Sequence, residues 1–468
     1  MARGILSYGA YLPYRRLDRS TIAAVAGGGG GKGTRAVASY DEDTTTMAVE
    51  AGRLALRSSP VAPAALSFST VAPAYLDKTN AAAIHAALRL DSDVPAFDFG
   101  GAVRSGIGAL RSALASGEPA LVLAADIRTG LPGSADEAAG GDAAAAILIG
   151  SDADGPLLAE YLAGAGATDE FLDRWRTPGE VRSKVWEEKF GETRYVPLGE
   201  QAWAAALKRA ELSAEQIDRV IVTGTHSRAT TALTRRLGVD PGGVVDDLSA
   251  TVGNTGAAQP GLLLAAALDV APPGQVIALV VLADGADVLL WRTTDALATF
   301  GAPRPVAAQV AAGGVVSYGK FLSWRGMLPV EPPRRPEPQR VSASAAGRSE
   351  AWKFGFVGSR DRSSGAIHLP PARASMAGNA VDDMEPAPMA DVEGTIVTFT
   401  IDRLAYSPSP PIVFAVVDFD GGGRLPVELT DVDAADVAIG GRIEMTFRRL
   451  FTADGIHDYF WKARPVRG

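Results

Sequence analysis

The 468-residue chain contains no cysteine. That absence excludes disulfides, thiolate-ligated zinc and any acyl-enzyme formed on a cysteine. Histidine is scarce, at four residues, so the position of each one carries information. Long hydrophobic runs are missing as well. The stretch "GLLLAAALDVA" is among the longest, and an Asp interrupts it well short of a bilayer span. Positive charge is not in excess: the net charge is −9 and the pI about 5.2. No global field therefore draws the chain to nucleic acid or anionic lipid. The start, "MARGILSYGAYLPYRR", lacks the order of charge, apolar stretch and small-residue cleavage site that marks a secretory signal. These absences predict a cytoplasmic protein without membrane or nucleic-acid partners.

What is present is apolar and layered. Hydrophobic residues make up 47% of a chain long enough for two or three domains. Over 1–297, buried-strand runs such as "ALVLAAD", "RVIVTGTH" and "QVIALVVLAD" alternate with Ala-rich helical stretches, which predicts an α/β domain. This part reads as two copies of one unit. In the first, Gly100–Gly101 opens a small-residue helix, followed by "PALVLAADI" and "GDAAAAILIGSD". In the second, "VGNTGAAQPGLLLAAAL" is followed by "GQVIALVVLADGADVLLWRT". A pseudo-dyad of this kind would aim two helix N-termini at one shared site. Residues 298–350 read as a linker, with a short amphipathic helix at "SYGKFLSWRGML" and a proline-stiffened "PVEPPRRPEPQR". Residues 351–385 form a separate knuckle-like segment. From 386 to 468, short β-rich runs divided by Gly, Asp and Pro predict a small antiparallel barrel.

The stretches "GILSYGAYLP", "GKGTRAVASYDEDTTTMAVEAGRLAL", "AADIRTGLPGSADEAAGGDAAAAILIG" and "VGNTGAAQPGLLLAAAL" cover most of 1–297. In that order they resemble the 3-hydroxy-3-methylglutaryl-CoA synthase branch of the thiolase and ketoacyl synthase superfamily. The tail, with "WKFGFVGSRDRSSGAIHLPPARAS" and the strands after Asp391, resembles an acyl-CoA-associated family that joins a zinc ribbon to an OB-fold barrel. The resemblance implies a five-layer αβαβα thiolase fold followed by an OB barrel, with acyl-CoA as substrate or ligand. It further implies no tightly bound cofactor, a homodimer, and a thiolase-like protein as a further partner.

Residue by residue, the resemblance implies losses. In "FDFGGAVRSGIGALRSAL", 97–114, the family's nucleophilic Cys falls at Val103. Ser105 is the nearby hydroxyl, without a base to activate it. The family's general base, a Glu ahead of Pro-Tyr, falls near Val71 in "STVAPAYLDKTN". His226 in "VIVTGTHSRATTAL" matches the third catalytic position and would donate to a thioester oxygen, or merely cap or pack a loop. Asn254 in "VGNTGAA" would orient a water or donate to the oxyanion, or cap its helix. Lys32 and Arg35, in "GGGGGKGTRAV", fall near the family's CoA entrance and would meet the nucleotide phosphates; a plain surface turn is the alternative. That loop lacks the Lys-Ser/Thr ending of a phosphate loop. The stretch 173–195, with two Trp and several cations, reads as either a tunnel lining or an amphipathic helix.

The ribbon repeats the pattern. Its four thiolate positions read Asp361, Ser364, Ser375 and Gly378, with His368 as a stray donor, so no metal is expected.

Claisen condensation through an acyl-enzyme is thereby excluded. Aldol or retro-aldol chemistry on a CoA thioester needs an oxyanion hole and an acid/base but no thiol. Some thiolase-fold proteins paired with OB-fold partners are retro-aldolases of this kind, so the resemblance points there. His226 and Asn254 would polarise the thioester, with Tyr75 and Asp77 as candidates for the acid/base. A non-catalytic acyl-CoA-binding or scaffolding subunit is the second reading. Acyl transfer or thioester hydrolysis is the third.

Overall fold

The computed structural model describes residues 1–467. By internal contacts the chain divides into two units. The first comprises Met1–Ala38, Glu50–Ala81 and Ser92–Leu322. The second comprises Ser39–Val49, Ala82–Asp91 and the chain from Ser323 onward. Two short segments that the sequence placed in the first domain thus pack with the C-terminal part.

The first unit is built on a nine-stranded mixed sheet. Its order is Arg219–Gly224, Val276–Leu282, Ala286–Thr293, Ala159–Ala167, Arg3–Tyr11, Asp142–Ser151, Ala120–Ile127, Ala65–Thr70 and Ala96–Gly100. The internal duplication is visible in the pairing. Ala65–Thr70 runs parallel to Ala120–Ile127, which runs antiparallel to Asp142–Ser151. Arg219–Gly224 repeats this with Val276–Leu282 and Ala286–Thr293. Within the sheet the two halves join where Gly4 and Ile5 pair with Glu160 and Ala159.

Strands such as "VIALVVL" are buried along their whole length because both faces are covered. One core holds the central helices Arg104–Ala115 and Gln259–Leu268 against strands of both halves, through Ile107, Leu110, Leu262, Ile147 and Leu279. A second core, with Tyr195, Trp203 and Leu233, lies behind the C-terminal half under the helices Glu188–Ala210 and Ser227–Thr234. The "SYGKFLSW" stretch forms the helix Tyr318–Trp324, which buries Tyr318, Phe321 and Leu322.

The second unit closes a five-stranded barrel in the order Gly394–Asp402, Ile412–Phe419, Arg424–Leu429, Ile456–Pro465 and Arg442–Ala453. Residues 39–49 belong to this unit through buried charge. Lys462 Nζ lies 3.1 Å from Asp41 Oδ2 and also pairs with Glu428. Arg448 pairs with Glu42 and, at 2.6 Å, with Asp431. Tyr459 donates to Asp43 at 2.7 Å. Burial works against ionising Asp41, yet Lys462 and Arg448 outweigh it and hold the carboxyl well below the usual carboxylate range.

Ahead of the barrel, Val357–Asp361 pairs with Ile367–His368 and Met384–Pro388. The four positions at which the sequence resemblance implied a ribbon converge here, around a carboxylate. Asp361 accepts from the Ser363 N–H and hydroxyl, each at 2.8 Å, from Ser364 at 2.5 Å and from Ser375. A Cβ on Gly378 would overlap Asp361 Oδ2. Among the described residues, no group of three or more His, Cys, Asp or Glu has metal-holding geometry. No helix among them is long and apolar enough to cross a membrane.

Candidate functional site

A cleft of about 640 Å³ opens in the first unit at the start of the Arg104–Ala115 helix. The chain leaves the edge strand Ala96–Gly100 and turns through Gly101, whose φ of +93° suits glycine alone. It then enters the helix at Val103, and no side chain caps that N-terminus. Of the first-turn N–H groups, those of Ser105 and Gly106 already donate to Ala102 O and Val103 O; those of Val103 and Arg104, with the positive end of the helix dipole, remain at this end of the helix. Val103, Val71 and Tyr75 all line it, together with Thr225 and Asp284. The positions where the sequence resemblance implied a nucleophile and a base thus lie in one cavity. A smaller side pocket of about 50 Å³ adjoins it, sharing Arg128, Arg174, Arg176, Ser183 and Thr225, and Asn254 lines this pocket.

The 173–195 stretch supplies one wall of the main cleft. It does so as two short paired strands, Arg174–Trp175 and Lys184–Val185, ahead of the Glu188–Ala210 helix.

The other expected residues are placed as follows. His226 is buried and N-caps Ser227–Thr234, its Nδ1 accepting from the Ala229 N–H at 3.1 Å. Its ring faces Tyr195, with centroids 6.0 Å apart, and approaches the buried carboxyl of Asp173 across Gly191. A Cβ at Gly191 would overlap both Asp173 Oδ1 and His226 Nε2, so glycine is what lets the pair share this space. Burial pushes the Asp173 carboxyl up, and His226 opposes that shift. Tyr195 lines the cleft, whereas His226 stands behind it. Asn254 donates to Gly224 O at 2.9 Å and accepts from the Gly256 N–H at 3.0 Å, which leaves one amide N–H for the pocket it lines.

Lys32 is exposed. Arg35 is fully buried: it donates to Glu137 O and Arg128 O, pairs with Asp142 at 3.3 Å and stacks over Phe321. It therefore holds the interior together and does not face a nucleotide phosphate. Asp77 is exposed and does not line the cleft.

Two features escaped the sequence. Asp284 follows a buried strand in "LADGAD", which reads as an ordinary turn; the structure places it on the cleft lining at a backbone φ of +47°. The surrounding protein pushes its pKa up, chiefly by desolvation, and Arg104 opposes this. The second feature is the convergence of Arg128 with Arg174 and Arg176, which lie far from it in the chain. No local signal joins them.

The duplicated half-sheets, with the central helices packed against them, form an α/β domain of thiolase/FabH-like fold. Known proteins agree. A profile for the 3-oxoacyl-[acyl-carrier-protein (ACP)] synthase III C terminal matches residues 207–289, and one for the ChsH2 C-terminal OB-fold domain matches residues 387–448. The hydroxymethylglutaryl-CoA synthase of Methanopyrus kandleri is 28% identical over 344 residues, spanning 69% of this chain and 97% of that protein. Among solved structures, MvaS in complex with 3-hydroxy-3-methylglutaryl coenzyme A aligns with a TM-score of 0.60 at 22% identity, covering 72% of this chain and 94% of the other. FabH from Pseudomonas aeruginosa PAO1 aligns at 0.55 and 21% identity, covering 63% and 99%. The chain joins a hydroxymethylglutaryl-CoA synthase-like domain to a C-terminal OB-fold domain, as the sequence resemblance implied.

Proposed function

We propose that this chain processes a CoA thioester without a covalent intermediate, by retro-aldol or aldol chemistry in the cleft beside Val103. The observation that carries the reading is the pairing of an uncapped helix N-terminus with a carboxyl, Asp284, in a cavity whose chain has no cysteine. Similarity to hydroxymethylglutaryl-CoA synthases over nearly their whole length supports the substrate class.

In the cleaving direction, the Asp284 carboxylate takes the proton of a 3-hydroxyl. The C2–C3 bond breaks, C3 becomes a carbonyl, and the electron pair forms the thioester enolate. Helix N-terminal N–H groups donate to the enolate oxygen, where charge develops. The proton held by Asp284 then returns to C2, so atoms and charge balance. A carboxyl whose pKa is pushed up is better matched to holding a proton between these two steps. Tyr75 is the second acid/base candidate in the cleft. His226 is a positioning residue, acting through Tyr195 and Asp173. The active form is a homodimer paired through the open edge of Ala96–Gly100.

The second reading, a non-catalytic acyl-CoA-binding or scaffolding subunit, draws on His226 and Asn254 being engaged inside the protein. The test is turnover of 3-hydroxyacyl-CoA esters, followed by mass spectrometry of the shortened thioester and the released carbonyl compound. It is run on the chain alone and with whatever protein co-purifies. Activity that Asp284→Asn lowers by about a hundredfold or more supports the enzyme reading. A complex that stays fully active with Asp284→Asn supports the scaffold reading.

A further inference from the structure

The side pocket carries an unusual balance of charge. Three guanidiniums line it, those of Arg128, Arg174 and Arg176, against a single carboxylate, Asp136. That carboxylate is already taken: Arg174 holds both of its oxygens, one at 2.8 Å. Arg176 donates only to a backbone carbonyl, Val71 O. Arg128 has no side-chain hydrogen bond or ion pair among the described residues. The buried Asp126 beneath the floor has both oxygens engaged by Thr70, the Val71 N–H and the Ala257 N–H.

Like charges are held together here at a cost. Burial lowers the pKa of Arg174 and of Arg176, and Arg128 lowers each further. Asp126 beneath the floor attracts both Arg128 and Arg176, so three guanidiniums share two carboxylates and one positive charge is left in excess in a recess that opens into the substrate cleft. Such a recess favours an anion, and guanidiniums favour one with two planar oxygens.

We propose that Arg128, Arg174 and Arg176 form a subsite for a carboxylate on the acyl group, so that the chain prefers CoA esters of dicarboxylic acids. The proposal rests on the reading that the main cleft receives a CoA thioester. Size favours a small anion in the recess itself, while the same arginines also border the larger cleft. A recess of about 50 Å³ has room for roughly three to five waters, enough for a carboxylate but not for a nucleotide diphosphate. Ser183, Thr225 and Asn254 on the same wall complete the polar lining.

The experiment is calorimetric titration of the full chain with matched pairs: succinyl- against butyryl-CoA, glutaryl- against pentanoyl-CoA, and adipyl- against hexanoyl-CoA. Free CoA is the third arm. At least one dicarboxylic ester is expected to bind about 10- to 100-fold more tightly than its neutral partner, the worth of a charge-assisted hydrogen bond or two. Arg128→Gln should bring that ratio toward one, and Arg128→Lys should retain part of it. Thermal melts check that the variants fold, and Arg176→Gln replaces Arg128→Gln if the latter does not.

A ratio near one in the wild type for every pair overturns the subsite. So does an equal loss of affinity for free CoA and the dicarboxylic esters in Arg128→Gln, which would assign the arginines to the CoA phosphates. Failure to bind any CoA ester removes the functional reading as well, so the two failures are distinct.

Discussion

The imidazole of His226 does two things that pull apart on mutation. As the N-cap of Ser227–Thr234 it satisfies the Ala229 N–H, and as a neighbour of Asp173 it faces a buried carboxyl. His226→Ala is expected to lose about 1 kcal/mol of stability in urea unfolding, the usual worth of a capping side chain. His226→Asn keeps a capping acceptor and should recover most of that loss. If the imidazole also positions Tyr195 and Asp173 for turnover, His226→Asn should remain slow with KM little changed. Full turnover of His226→Asn would confine the residue to capping. Arg35 makes the same point about exposure. Its charge suited a phosphate on paper, but its side chain is enclosed by Glu137, Asp142 and Phe321.

Among the elements, the 39–49 segment and the barrel strands depend on each other through charges that have left water. Arg448, itself fully buried, is the partner of both Glu42 and Asp431. Arg448→Met fits the space approximately but leaves two buried carboxylates facing each other. Removing one partner from a buried ion pair typically costs about 3–5 kcal/mol. The variant should therefore unfold at markedly lower denaturant than wild type, read by fluorescence of the barrel's Trp461. A midpoint within error of wild type would show that these charges contribute nothing net. The short sheet ahead of the barrel is held by a different means: the Asp361 carboxylate gathers serine hydroxyls at its centre.

At the scale of the whole molecule, the exposed sheet edge governs assembly. Among the described residues Ala96–Gly100 is an edge strand, paired in the sheet with Ala65–Thr70 alone, and Phe97 on it is 59% exposed. An unprotected edge strand bearing an exposed aromatic invites pairing with another copy. Light scattering after size exclusion is expected to report twice the chain mass of 48.4 kDa, and Phe97→Lys to shift it to the monomer. A wild-type monomer at micromolar concentration would remove the homodimer from the functional reading. The cleft begins where this strand ends, at Gly100 and Gly101, so dissociation should also lower acyl-CoA affinity.

The amino-acid order by itself determined the layered α/β domain, its duplication and the barrel, because these rest on local periodicity. Fully buried strands read as unbroken apolar runs, and the glycine turns ahead of Ala-rich helices mark both repeats. It also determined that the chain supplies no cysteine thiol of its own. It could not decide which polar residues meet. Arg128 and Arg174 are 46 positions apart by their own numbers, and Asp284 reads as part of a turn. Val71 and Val103 were legible only through resemblance, and tertiary structure decided that both line one cleft. It likewise decided that Arg35 and His226 turn inward. Burial and electrostatic environment come from groups brought together across the fold, and a linear pattern of residue types carries little information about them.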